Sequence, residues 1–255
     1  MALLLDLSDH IVLVTGGRGG VGSGVADRFR AAGATVATCG RTEAPSGSTG
    51  ADDHLVCDVR DPEAVSAMID AIVTRHGRLD AVVNNAGGAP SAPAADASPG
   101  FHRKVVELNL LSPLLVAQAA NRVMQQQPDG GSVVNISSVS GLRPSPGTAA
   151  YGAAKAGVDS LTRSLAVEWA PKVRVNAIDV GMVRTEHAGD HYGGNAGVAR
   201  VEATIPLGRM ATPVDVGNVA VFLASDLASY VSGATIECHG GGEPPVFLTA
   251  RKDDQ

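Results

Sequence analysis

Short apolar runs of β type alternate along the chain with longer stretches in which apolar residues recur at helical spacing. The first run, residues 10–15 (HIVLVT), leads through glycines into a helical pattern that continues to Ala32, where Gly33 stops it. Further strands are predicted over 34–39, 54–57, 81–84, 132–137, 173–179 and 234–238. A helix opens at Asp61, with Pro62 in its first turn, and runs to His76 ahead of Gly77. Others are predicted over 101–127, over 149–170, and from Thr212-Pro213 through Ala224. Residues 41–53, 85–100 and 180–207 are rich in Gly, Ala, Pro or Ser and read as irregular. Strands with few polar interruptions, alternating with helices, mean βαβ units and a parallel sheet covered on both faces. With right-handed crossovers the pattern predicts one α/β domain, a doubly wound Rossmann-type sheet, whose ligands sit beyond the carboxyl ends of the strands.

Composition narrows the function. The chain has 255 residues, 44 % apolar and 18 % charged, which excludes wholesale disorder and suits a single large domain. Aromatic residues are 3 % and the net charge is −6, so neither base stacking nor phosphate-backbone binding is expected and nucleic acid is not a partner. No run approaches a membrane span, and residues 1–7 lack the basic flank of a signal peptide. Cys39, Cys57 and Cys238 lie in or beside apolar runs and read as buried, reduced thiols, which places the protein in the cytoplasm. The seven histidines show no metal-ligand spacing, so no metal is expected.

Two segments carry chemistry. Directly after the first strand comes Thr15-Gly16-Gly17-Arg18-Gly19-Gly20-Val21-Gly22. Glycines there let the backbone turn tightly and approach a pyrophosphate, which then meets the free N–H groups and positive dipole end of the following helix. A P-loop is excluded, because Gly22 is followed by Ser23 rather than Lys. About twenty residues on, the acid that usually binds the adenosine ribose is missing and the second strand ends in Cys39-Gly40-Arg41. A guanidinium pairs well with phosphate, so Arg41, with Arg18, reads as a clamp on a 2′-phosphate, hence NADP(H) over NAD(H). The second segment is Tyr151-Gly152-Ala153-Ala154-Lys155. Its i, i+4 spacing puts phenol and ammonium on one helix face, where the ammonium would lower the tyrosine pKa and make a usable proton donor and acceptor.

Together these segments resemble the short-chain dehydrogenase/reductase family of the single-domain, roughly 250-residue kind, over about residues 7–242. The family's Thr-Gly-x-x-x-Gly-x-Gly motif falls on Thr15, Gly16, Gly20 and Gly22, its Asn-Asn-Ala-Gly motif on Asn84, Asn85, Ala86 and Gly87, and its later strand asparagine on Asn176. The resemblance implies catalytic roles for Asn109, Ser138, Tyr151 and Lys155. Tyr151 would exchange a proton with the substrate oxygen, Ser138 would hydrogen-bond that oxygen, Lys155 would hold the nicotinamide ribose, and Asn109 would hold a relay water. It implies cofactor contacts at Gly16, Arg18, Gly20, Val21, Gly22, Arg41, Asp58, Val59, Asn85, Ala86, Gly87, Tyr151, Lys155, Gly181, Val183 and Thr185, with Asp58 at the adenine. Asn84 and Asn85 also suit a purely structural role at the strand end, and Asn109 a backbone-bonding one.

The family usually has Pro-Gly after the sixth strand, and this chain has Val180-Gly181. Residues 183–207 fall where the family builds its substrate lid, and 243–255 form a charged tail. Met182, His187, His191 and Tyr192 are candidate substrate contacts there, beside Ser138. The reading is an oxidoreductase passing a hydride between NADP(H) and a small carbonyl or secondary alcohol. Its alternatives are an NAD-preferring dehydrogenase of steroid-like or other secondary alcohols, a 3-oxoacyl thioester reductase, and a cofactor-sensing protein without turnover. The resemblance also implies a homotetramer.

Overall fold

The computed structural model describes residues 5–43, 53–186, 188–245 and 247, except for the side chain of His191. Seven parallel strands form one sheet in the order β3-β2-β1-β4-β5-β6-β7. They are β1 (Ile11–Thr15), β2 (Thr35–Gly40), β3 (Asp53–Val56), β4 (Ala81–Asn84), β5 (Gly131–Ser138), β6 (Val173–Val180) and β7 (Thr235–Cys238). The order in which successive strands are added reverses between β1 and β4, and a doubly wound sheet opens its ligand crevice there.

Alternation along each strand feeds two cores, one per face. Val12, Val14, Ala81, Val83 and Val134 pack with Phe29 and Val25 on one side; Leu13, Val82 and Val133 pack with Ile69, Ile72 and Met124 on the other. The first core is roofed by α1 (Gly20–Ala31) and α8 (Pro213–Ala224). These two helices touch at glycines: a methyl on Gly24 would lie 2.3 Å from Pro213, and one on Gly217 2.6 Å from Arg28. The second core is covered by α2 (Pro62–His76), α4 (Ser112–Met124) and α5 (Ala149–Glu168).

The local signals act as expected. Asp61 accepts from the N–H groups of Glu63 and Ala64 at 2.9 and 3.2 Å, and Gly77 ends α2 in the left-handed conformation at φ 81°. Thr212 and Asp215 form a reciprocal cap on α8.

Two expectations need correction. The single helix predicted over 101–127 is interrupted. It opens as α3 (Pro99–Val106), passes through a π-helical turn at Glu107–Leu111, and continues as α4. Pro113 has no N–H for the carbonyl four residues back, at Asn109, so the regular ladder breaks there. The segment 180–207, read as irregular, contains α6 (Ala188–Tyr192) and α7 (Gly194–Glu202). Gly193 and Gly194 turn the chain between them with φ 77° and 79°, and Val198 packs with Ile205 and Met210 into a small separate core. The isolated glycines masked a helical spacing that tertiary packing stabilises.

Candidate functional site

The first βα turn closes on the end of β4. Thr15 Oγ1 accepts the N–H groups of Asn85 and Ala86 at 2.9 and 3.0 Å, and Asn85 Nδ2 donates to the carbonyls of Thr15 and Gly16 at 2.9 and 3.3 Å. The Asn85 side chain is therefore a stitch between two loops. Asn84 is likewise structural, donating to the Pro113 carbonyl and to Asn135. Gly16 and Gly20 hold φ of 64° and 52°, and a methyl on Gly22 would stand 2.2 Å from the Gly16 carbonyl oxygen. A side chain at Gly22 would thus collapse the turn, which leaves bare backbone at the N-terminus of α1. Glu186 reaches this end from the chain beyond β6, where its Oε1 accepts the Gly20 N–H at 3.0 Å. It was not singled out in the sequence, where Arg-Thr-Glu carries no recognisable signal.

The turn faces a cleft of about 820 Å³, lined among others by Gly16, Gly20, Val21, Arg41, Ala86 and Gly87 on one side and Ser138, Tyr151, Lys155, Gly181, Met182 and Val183 on the other. Arg41 lines it, with no acid on β2 and with the Asp58 carboxylate in electrostatic reach, and Arg18 crosses to the same loop, donating to the Glu43 carbonyl at 2.8 Å. Asp58 follows the end of β3 by two residues. Its carboxylate is gripped by Arg60 at 2.9 and 2.6 Å, which holds its pKa down at about 2. Arg60 was missed; its place two residues after Asp58 was the available signal. Val59 is buried in the core on the α2 face.

Across the cleft, β5 ends at Ser138 and α5 begins at Ala149, so the strand end and the first helical turn meet. A hydrogen bond from Ser138 favours the Tyr151 phenolate, while burial, the larger effect, pushes the phenol up from its ordinary range. The expected lowering of Tyr151 by its ammonium neighbour is therefore not what governs this state. Lys155 Nζ lies 5.5 Å from the Tyr151 ring centroid and donates to the Ile136 carbonyl at 2.7 Å. Burial brings Lys155 down to about 8. Ser138 Oγ accepts the Ser140 N–H at 3.1 Å, which leaves its own proton to donate.

Asn109 is fully buried in the π-helical turn, and its side chain is spent on backbone: Oδ1 accepts the Gly88 N–H at 2.7 Å, and Nδ2 donates to Gly88 and Val105 at 2.9 Å. It packs against Gly87, on which a methyl would lie 2.7 Å from Asn109 Oδ1 and 3.6 Å from Lys155 Nζ.

Beyond β6, the Tyr192 hydroxyl donates to Met182 Sδ at 3.2 Å, and both line the cleft. Thr185 approaches Gly20. His187 and the side chain of His191 lie outside what is described. Asn176 ties the approach to β7, donating to the Val231 carbonyl at 2.8 Å and accepting the Ala234 N–H at 3.0 Å. A smaller cavity of about 170 Å³ adjoins the cleft at Gly181 and Met182, with Val139, Leu142 and Ile205 as apolar walls. These three were missed; Val139 and Leu142 follow Ser138 within four residues, where a wall of the cleft must begin. Cys39 and Cys57 are buried free thiols pushed up to about 12 and 11, and Cys238 is a half-buried one.

Comparison with known proteins agrees with this geometry. Residues 16–243 match a family model described as enoyl-(acyl carrier protein) reductase. A (5R,7aS)-5-hydroxy-7a-methyl-1-oxo-2,3,5,6,7,7a-hexahydro-1H-indene-carboxyl-CoA reductase of Mycobacterium tuberculosis is 37 % identical over 241 residues, 90 % of this chain and 92 % of that protein. A 3alpha-hydroxysteroid dehydrogenase of Mediterraneibacter gnavus is 34 % identical, over 93 % of this chain and 98 % of that protein. The ligand-free aldohexose dehydrogenase of Thermoplasma acidophilum superposes with a TM-score of 0.87 at 30 % identity, covering 94 % of this chain and 97 % of that one.

Proposed function

Because the chain belongs to the short-chain dehydrogenase/reductase family and is an oxidoreductase, we propose that it transfers a hydride between NADP(H) and a small carbonyl or secondary alcohol, with Tyr151 as general acid and base. The observation that carries this reading is the meeting of the glycine turn with Ser138, Tyr151 and Lys155 across one cleft. The fit to a dinucleotide rests on the Gly22 cradle, which a methyl group would fill, and on the N-terminus of α1, whose cap residue Gly19 has no side chain to bond it. When bound, the dinucleotide supplies the hydride.

The chain's own residues do the rest. The backbone at Gly19–Val21 holds the pyrophosphate, and Arg41 holds the 2′-phosphate, with Arg18 backing the same loop. Lys155 donates one of its three N–H groups to Ile136 and has two left for ribose hydroxyls. Ser138 directs its proton at the substrate oxygen and orients it toward Tyr151. Tyr151 gives that oxygen its proton in reduction and takes it back in oxidation. Positioned acid–base catalysis of this kind contributes ~10²–10⁴-fold. The side chain of Asn109 is committed to Gly88 and Val105, so a relay water would sit on its main-chain carbonyl, which Pro113 offers no N–H. The apolar wall of Val139, Leu142, Met182 and Ile205 suits an apolar substituent on the carbonyl, and Arg143, Glu237 and Glu243 on the rest of the lining suit a polar group beside it. Residues 183–207 act as the lid over it, and the chain assembles as a homotetramer.

The test is a screen of purified protein with NADPH and NADH against a panel of ketones, aldehydes and thioesters with apolar substituents. Reduction of at least one class, faster with NADPH, is expected. Dinucleotide binding without turnover on any class would favour the sensing alternative.

A further inference from the structure

Beneath Lys155 lies a group of acids that the proposed chemistry does not use. Asp159 sits one turn further along α5, and Asp179 stands on β6 opposite Ser137 of β5 in the strand register. Asp179 is 0 % exposed, Asp159 6 % and Lys155 4 %. Ser137 Oγ donates to the Lys155 carbonyl at 3.2 Å and stands beside both carboxyls. Neither oxygen of Asp179 nor Oδ1 of Asp159 has a partner in ideal hydrogen-bond geometry among the described residues; Ser137 and the Ser138 N–H approach them only loosely. Burying carboxyls so poorly bonded opposes folding unless a nearby charge compensates.

We propose that Asp159 and Asp179 are positioning residues whose carboxylates keep the buried Lys155 an ammonium, and so set the pH range in which the site works. This rests on the reading of Lys155 as part of the reaction site. A lysine this deeply buried without counter-charge loses its proton at about pH 5–6. Lys155 is brought down only to about 8, with Asp159 and then Asp179 opposing the effect of burial. The surrounding charges are few. Arg163 on α5 faces Asp159, and Glu237 on β7 faces Asp179 while bonded to His239. Tyr151 covers Lys155 from the cleft side. Burial and the neighbouring Asp159 raise Asp179 to about 6, below the pH at which Lys155 titrates, and burial also raises Asp159 from its ordinary range.

The sign of the stability effect follows. A carboxyl raised in the folded state stabilises it below its unfolded pKa, and that contribution is lost as pH rises through the folded value, here from about 4 to about 6. Above pH 6 an ionised Asp179 thus opposes folding, and Asp179→Asn should melt no lower than wild type. If Asp179 served only to hold the fold together, the same variant would melt lower.

The direct readout is NMR of 13Cε-labelled lysine. The chain has only four lysines, Lys104, Lys155, Lys172 and Lys252, and Lys155→Met identifies the signal. In wild type the Lys155 midpoint is expected near 8. Asp159→Asn should lower it by about one unit, a tenfold change in acidity, and Asp179→Asn by less; the alkaline limb of kcat/KM should move down by the same intervals. A wild-type midpoint of about 6 or lower, as for an uncompensated buried lysine, would overturn the proposal without any acid variant. So would a midpoint unmoved in both Asn variants. Because the titration needs no turnover, an inactive wild-type enzyme with the expected midpoints would refute the reaction reading alone.

Discussion

The two walls of the cleft are built on different principles. The β1–α1 turn is dictated by backbone: Gly16 and Gly20 hold positive φ, Gly22 has no room for a methyl, and the Thr15–Asn85 stitch uses main-chain groups on one side of nearly every bond. The segment from Met182 to Met210 is pinned by main-chain bonds at Ala211 and Gly240, and between those pins it packs through the small core of Val198, Ile205 and Met210 and the Tyr192–Met182 bond. The first wall tolerates almost no change of residue. The second can be rebuilt from many apolar residues, which makes it the part free to follow the substrate. The walls touch where Glu186 accepts the Gly20 N–H.

Substitutions separate the two. The largest effect is expected from Gly22→Ala, because its methyl would meet the Gly16 carbonyl oxygen at 2.2 Å. NADPH affinity should fall more than tenfold, and overpacking should cost about 1–3 kcal/mol in a denaturant melt. Wild-type affinity would mean that the turn does not carry the dinucleotide. Next comes Arg41→Asp, which should move the NADPH-to-NADH affinity ratio about tenfold toward NADH, ~1.4 kcal/mol. An unchanged ratio in paired fluorescence titrations would remove Arg41 as the phosphate clamp. On the other wall, Gly194→Ala forces a side chain into φ 79° at a cost of about 1–2 kcal/mol. It should raise the KM for the carbonyl several-fold while leaving the NADPH Kd in place. A change in Kd alone would show that the walls are not separable. The smallest effect belongs to Glu186→Gln. A carboxylate at a helix N-terminus is worth about 0.3–1 kcal/mol, so removing this competitor of a pyrophosphate should tighten NADPH roughly two- to fivefold. Weaker binding would make Glu186 a support of the site.

The same contrast explains what could be read in the sequence. Residues forced by backbone geometry left local signatures: Asp61 and Gly77 bounded α2, and the glycine turn and the Tyr151/Lys155 spacing fell on the cleft. Strand ends shifted by a residue, as their neighbours in the sheet decide where pairing stops. The π-helical turn was hidden because Pro113 inside an apolar helical pattern does not say how the helix accommodates it, and the bonds from Asn109 to Gly88 that accompany the turn come from another loop. Helices α6 and α7 were hidden because Val198, Ile205 and Met210 form a core only once folded together. Arg60 and Glu186 were invisible for a related reason. Arg60 pairs with a near neighbour only in the conformation the loop adopts, Glu186 acts on a partner that the fold delivers, and Asp159 and Asp179 stand twenty residues apart on two successive elements.

The decisive experiment measures NADPH affinity and carbonyl turnover side by side in wild type and Tyr151→Phe. The phenyl ring keeps the packing over Lys155 and lacks only the hydroxyl that meets Ser138. Affinity within about twofold of wild type, with turnover lower by at least ~10²-fold, is the expected result. Turnover close to wild type with affinity intact would contradict Tyr151 as the proton donor, and with it the joining of the two walls into one reaction site.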